Sequence, residues 1–162
     1  MDADEGTGAW VGLMGFSQGA KLAASILWRQ ENVSGPLPRL SPEVQFRFAV
    51  LMAGGAPPVM LDPTGALPVP PGIETADNLS LAFDDWPATN EGEHVIGIPT
   101  LHVHGLKDPG IERHRKLLDL YCERGTARVV EWDGDHRIPF KTADVSMVVK
   151  EILQMAKEAG VL

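Results

Sequence analysis

Gly15-Phe16-Ser17-Gln18-Gly19 sets a serine in a G-x-S-x-G pattern, and the residues on either side say what that serine could do. Ala9 to Met14 is short and apolar and reads as a strand, whereas Gly19 to Gln30 is rich in Ala and Leu without proline and reads as a helix to be buried. A serine at so sharp a strand-to-helix turn is lifted above the sheet, where its hydroxyl can attack a carbonyl. A hydroxyl is a poor nucleophile at neutral pH and needs a base. His136, in Gly134-Asp135-His136, is the candidate base, and Asp108, in Lys107-Asp108-Pro109-Gly110, is the candidate acid that would fix the imidazole tautomer. The backbone N–H of Gln18 would supply one donor to an oxyanion.

Competing readings of neighbouring residues are weaker. Asp133 and Asp135 flank the base but lie too close in sequence to be its favoured partner, and Asp135 is the second choice of acid. His102 and His104 stand two apart on a strand and so face one side, as a metal pair would. No further His, Cys or carboxylate lies at ligand spacing beside them, so no metal or other cofactor is expected. His94 and His114 read as surface residues.

The elements that must hold these groups follow from pattern. Phe46 to Met52, Thr100 to Gly105 and Ala127 to Trp132 read as further strands. Ile111 to Arg124 reads as an amphipathic helix. Thr142 to Ala159 reads as another, with Val145, Val148, Val149, Ile152 and Met155 at helical spacing and Thr142 as N-cap. Asn32 to Pro42 is a proline-rich loop. Residues 56–98 contain Pro57, Pro58, Pro63, Pro68, Pro70, Pro71 and Pro87, which exclude a long helix over most of the segment. Alternating strands and helices imply an α/β fold with a mostly parallel sheet and helices on both faces, in one domain spanning 1–162. In such sheets ligands bind beyond the carboxyl ends of the strands, and all three candidate residues lie just after strands.

Composition narrows the partners. The chain of 162 residues has a formal charge of −8, with no Lys or Arg between Arg47 and Lys107, which excludes nucleic acid or an anionic membrane surface as the expected partner. A lone cysteine, Cys122, an opening without a signal-peptide pattern and the lack of any long apolar run point to a reducing, cytoplasmic setting with no membrane span.

With the elbow Gly15-Phe16-Ser17-Gln18-Gly19-Ala20, the strands Phe46-Arg47-Phe48-Ala49-Val50 and Ile98-Pro99-Thr100-Leu101-His102-Val103-His104-Gly105, and Gly134-Asp135-His136 assembled, the chain resembles the fungal serine hydrolases of the FSH family. That resemblance implies an α/β-hydrolase fold and a Ser17–His136–Asp108 triad. It further implies an esterase or thioesterase working through an acyl-enzyme, of the kind encoded beside polyketide synthases. The expected substrate is a small acyl ester or thioester, free or bound to a carrier protein, with residues 56–98 as a variable lid. Family members place several strands and a His-Gly oxyanion loop ahead of the elbow, whereas only 16 residues precede Ser17 here. The expectation is therefore an N-terminally truncated fold with an exposed sheet edge through which a second copy could pair. The competing expectation is a catalytically impaired hydrolase that acts only by binding or association.

Overall fold

The computed structural model describes residues 8–33, 44–62, 64–78 and 83–162. The reading of residues 34–42 as loop, and that of Pro63 in the proline-rich segment, lie outside the described residues. In chain order the elements are β1 (Gly12–Phe16), α1 (Gln18–Asn32), β2 (Phe48–Met52), β3 (Val59–Met60), β4 (Glu74–Thr75), a 3-10 turn (Ala76–Asn78), β5 (Thr100–Gly105), α2 (Ile111–Tyr121), β6 (Ala127–Trp132) and α3 (Thr142–Glu158). Four strands form one sheet in the order β1-β2-β5-β6, every pair parallel. Parallel neighbours need crossovers, which α1, the segment between β2 and β5, and α2 provide.

Register explains where two strands depart from expectation. β1 runs to Phe16, two residues further than the apolar run suggests, because its pairing with β2 carries Gly15 opposite Leu51 and Phe16 opposite Met52. Glycine weakens a strand by propensity, but Gly12 leaves room for the Phe48 ring, which a Cβ there would meet at 2.8 Å. β2 starts at Phe48 rather than Phe46. The Gln30 side chain takes both backbone groups of Phe46, donating to its carbonyl at 2.8 Å and accepting its N–H at 2.9 Å.

Helices cover both faces. α1 turns Ala20, Ala23, Ala24, Leu27 and Trp28 inward, a spacing of three and four that defines one helical stripe, and with Leu117 and Tyr121 of α2 it packs on one side of the sheet. α3 packs on the other through Val148 and Met155. Its buried stripe is narrower than the valine spacing suggests, since Val145 and Val149 are exposed. Thr142 is not the N-cap: that position is Lys141, without a side-chain capping bond, and Thr142 is the first helical residue.

The described part of residues 56–98 is anchored rather than free-standing. β3 and β4 pair in parallel, and Met60, Ile73 and Ile96 join the core beneath α1 and α2. The Trp28 indole donates to the Glu93 carbonyl at 2.7 Å and the Tyr121 hydroxyl to the Gly72 carbonyl at 2.6 Å, so α1 and α2 both tie the segment down. No helix among the described residues is long and apolar enough to cross a membrane.

Candidate active site

Ser17 sits between the last residue of β1 and the first of α1 with φ 55° and ψ −117°, a backbone state that non-glycine residues rarely adopt. Three backbone hydrogen bonds hold it there. Its N–H donates to the Met52 carbonyl at 2.8 Å, and its carbonyl accepts from Ala20 and Lys21, both at 3.1 Å, starting the helix. The glycines of the motif play unequal parts. A methyl on Gly15 would fall on the Gly19 carbonyl and lie 2.5 Å from the Ala20 nitrogen, whereas one on Gly19 would meet nothing. The crowding that the motif relieves is thus helix backbone against Gly15.

The other two residues are positioned by a joint between the loops after β5 and β6. Leu106 N–H donates to the Trp132 carbonyl at 2.9 Å and Lys107 N–H to the Gly134 carbonyl at 2.8 Å, extending the ladder past both strands. Gly105 is needed for that approach, since a Cβ there would come within 2.7 Å of the Gly134 carbonyl. Asp108 ends buried at 3% exposure, its Oδ1 accepting the Gly110 N–H at 2.8 Å. His136 Nδ1 lies 2.7 Å from Asp108 Oδ2, and its Nε2 lies 2.9 Å from Ser17 Oγ. An ionised carboxylate only accepts, so Nδ1 carries the hydrogen and Nε2 is left to accept from the serine. The Phe16 ring, 5.0 Å away between centroids, backs the imidazole.

Neither alternative carboxylate is bonded to His136. Asp135 pairs with Arg137, and Asp133 pairs with Lys107 at 2.6 Å. Asp133 is exposed and Asp135 half-buried, and these cations hold both carboxyls below their ordinary range.

Two histidines expected at the surface are buried. His94 Nε2 donates to the Thr89 carbonyl at 2.9 Å, and its ring stands edge-on to Tyr121. His114 is 3% exposed, with Nδ1 at 3.9 Å from Asp108 Oδ2, beyond hydrogen-bond reach. Burial pulls its pKa down while the Asp108 charge opposes. The signal was in the sequence: His114 lies three residues before Leu117 and seven before Tyr121, on the buried stripe of α2. His102 and His104 do face one side, toward α2. His102 Nε2 bonds the Thr100 hydroxyl at 3.1 Å and the Cys122 sulfur at 3.3 Å, and burial pushes the two imidazoles down to about 3 and about 4, so both are neutral at pH 7. Among the described residues neither belongs to a cluster of three metal-ligating groups. Asp108, His114 and His136 do bring ligand-type atoms within 4.8 Å of one another, but two of the three are already joined by a hydrogen bond.

In front of Ser17 and His136 lies a cavity of about 580 Å³. Leu22, Ala53, Ala56, Val59 and Leu61 give it an apolar wall, and Lys21 and Arg113 give it a cationic end. Gln18 is also in the lining, and its N–H is among those that the first turn of an α-helix leaves without a partner inside the helix. Neither cation nor the Lys21–Glu74 pair was foreseen from sequence.

A parallel sheet whose first described strand breaks into a helix at a strained serine is the framework on which serine hydrolases are built. A model of the serine hydrolase (FSH1) family matches residues 1–148, and the chain belongs to that family. Esterase pigG of Monascus ruber is 48% identical over 168 aligned residues, covering 100% of this chain and 61% of that protein. Esterase dbaE of Emericella nidulans is 48% identical over 162, covering 96% of this chain and 58% of that protein. The chain thus spans 61% and 58% of the length of these two curated relatives. Among solved structures, a protein from Agrobacterium vitis S4 described only as a hydrolase superposes with a TM-score of 0.51 at 18% identity over 89% of this chain and 60% of its own, a likeness of fold.

Proposed function

We propose that this chain carries the catalytic residues of an esterase or thioesterase that works through an acyl-enzyme on Ser17. The observation that bears the proposal is the run of two short hydrogen bonds, Ser17 Oγ to His136 Nε2 at 2.9 Å and His136 Nδ1 to Asp108 Oδ2 at 2.7 Å, opening on the cavity. In this reading His136 takes the Ser17 proton as Oγ attacks the acyl carbonyl, and the Gln18 N–H donates to the oxyanion that forms. His136 then returns the proton to the departing alcohol or thiol. A water activated by the same imidazole releases the acid. Asp108 holds the tautomer and offsets the imidazolium charge.

The apolar wall suits an acyl chain, and the esterase names of the relatives support ester chemistry. We extend the proposal to release of an acyl or polyketide chain in secondary metabolism, from a small ester or a carrier-bound thioester, in a cytoplasmic setting. The homodimer expected from the sequence is proposed on the same footing: β1 is an edge of the described sheet, and Met14 on it is exposed. Sedimentation at rising concentration would show a mass of two chains if it forms.

Hydrolysis of p-nitrophenyl butyrate and of an acyl thioester, run beside Ser17→Ala, tests the chemistry, and labelling by a fluorophosphonate tests the nucleophile. Turnover and labelling that both vanish in the variant support the proposal. Wild-type protein that neither turns over nor labels would overturn it and favour the binding role.

A further inference from the structure

The cationic end of the cavity has a use that ester hydrolysis alone does not explain. Lys21 is engaged: its Nζ donates to Glu74 Oε2 at 3.1 Å. Arg113 is not. It takes part in none of the ion pairs among the described residues, and its Nη2 is shut off from water without a hydrogen-bond partner. Arg113 as a whole is half-buried and lines the cavity, so its charge stands there without a bonded partner among the described residues, and an anion in the cavity would complete it.

The backbone of Arg113 is anchored at the cavity wall. Its N–H donates to the Gly110 carbonyl at 2.9 Å and its carbonyl accepts the Ala56 N–H at 3.0 Å, which fixes the main chain there between α2 and the segment after β2. Its Cζ lies 5.9 Å from the centre of the Trp86 ring. The Lys116 ammonium lies nearer that ring, at 3.8 Å, and the planar fork of a guanidinium matches two oxygens of one anion. Lys21 adds a second positive charge to the same wall.

We infer that Arg113 is a specificity-determining residue that receives an oxyanion carried by the substrate, so that the preferred esters or thioesters are anionic ones. This rests on the hydrolase reading above and deepens it. Two sources share the chemistry: a carboxylate within the acyl chain, or a phosphate on the arm that leaves.

Binding decides the matter without turnover. Calorimetry on the Ser17→Ala protein would compare monoethyl glutarate with ethyl valerate, its neutral analogue on the same carbon skeleton. The hemiester should bind at least about tenfold more tightly, and Arg113→Gln on that background should erase the preference. Arg113→Lys, with the charge but not the fork, guards against a folding failure and should fall between. In the wild type, the ratio of kcat/KM for p-nitrophenyl hemiglutarate to that for p-nitrophenyl valerate should drop by a similar factor on Arg113→Gln. A matched pair of hexanoyl thioesters, of phosphopantetheine and of pantetheine, separates the sources: an Arg113-dependent preference there puts the anion on the leaving arm, and one for the hemiester puts it in the acyl chain. No preference for either anion, or one that survives Arg113→Gln, overturns the inference. Arg113-dependent binding without hydrolysis of any ester would instead sink the hydrolase reading and leave the anion site standing.

Discussion

The two faces of the sheet are made of different chemistry, and β5 supplies both. Leu101 and Val103 point to the α3 side, where Val50, Met52, Val130, Trp132, Val148 and Met155 complete a buried apolar layer. Thr100, His102 and His104 point the other way, into a layer of Ala, Leu and Trp that also buries Cys122 and His114. Side chains alternate along a strand, so six consecutive residues can build a scaffold on one face and a polar file on the other. Ring centroids step from His102 to His104 at 5.8 Å, on to His114 at 5.8 Å and to His136 at 6.2 Å. The apolar face supplies burial, and the polar face leads from the sheet centre to the candidate site.

The comparison breaks first at Asp108, where the polar file meets the hydrogen-bonded chain to Ser17. Asp108→Asn keeps shape but no longer demands a hydrogen on Nδ1, and should lower kcat for an ester about 10⁴-fold with little change in melting temperature. A comparable loss in melting temperature would mean that Asp108 is structural. On the opposite face the pattern should invert. Leu101 is fully buried, and Leu101→Ala should cost about 2–5 kcal/mol in urea unfolding while the folded fraction keeps its kcat. If kcat falls with stability, the faces are not separable.

Legibility followed the same division. Strands such as β5 and β6, dense in β-branched and apolar residues, showed their full extent in the pattern, and the order Ser17, Asp108, His136 marked three strand ends. Distances did not show, because only the parallel topology and the joint between Gly105 and Gly134 bring those ends together. β1 hid its last residues behind Gly15, whose smallness answers to Gly19 rather than to strand propensity. β3 and β4, two residues each, are too short to display any period. His114 reads as a surface residue by polarity alone, whereas its place on the α2 stripe with Leu117 and Tyr121 buries it. Arg113 left no mark at all: its meaning comes from what α2 packs against.

A milder test uses the pH dependence of the polar face. His102 and His104 are held neutral by burial, at about 3 and about 4 against an ordinary 6.5 in the unfolded chain. Between those values the unfolded chain binds the extra protons, so the contribution to stability is full above pH 6.5 and drains as pH falls toward 4. For His104 this is roughly 1–2 kcal/mol between pH 6.5 and pH 5. Both ring nitrogens of His104 lack partners among the described residues, so His104→Leu removes the titration without breaking a hydrogen bond. Its melting temperature should fall less than the wild type's between pH 7 and pH 5. Parallel slopes would mean that His104 is not held neutral.

The smallest effect separates charge near His136 from charge wired to it. Asp135 is adjacent in sequence and carries the same group as Asp108, yet its side chain is half exposed and paired with Arg137, while Asp108 is buried and bonded to the imidazole. Water and salt screen an exposed carboxylate, and its partner side chain absorbs what field remains. Asp135→Ala should therefore change kcat less than about twofold at 0.15 M salt and leave the melting temperature where it was. A loss approaching that of Asp108→Asn would show that the imidazole answers to net negative charge in its loop, and the contrast between a buried polar file and a solvated rim would lose its chemical meaning.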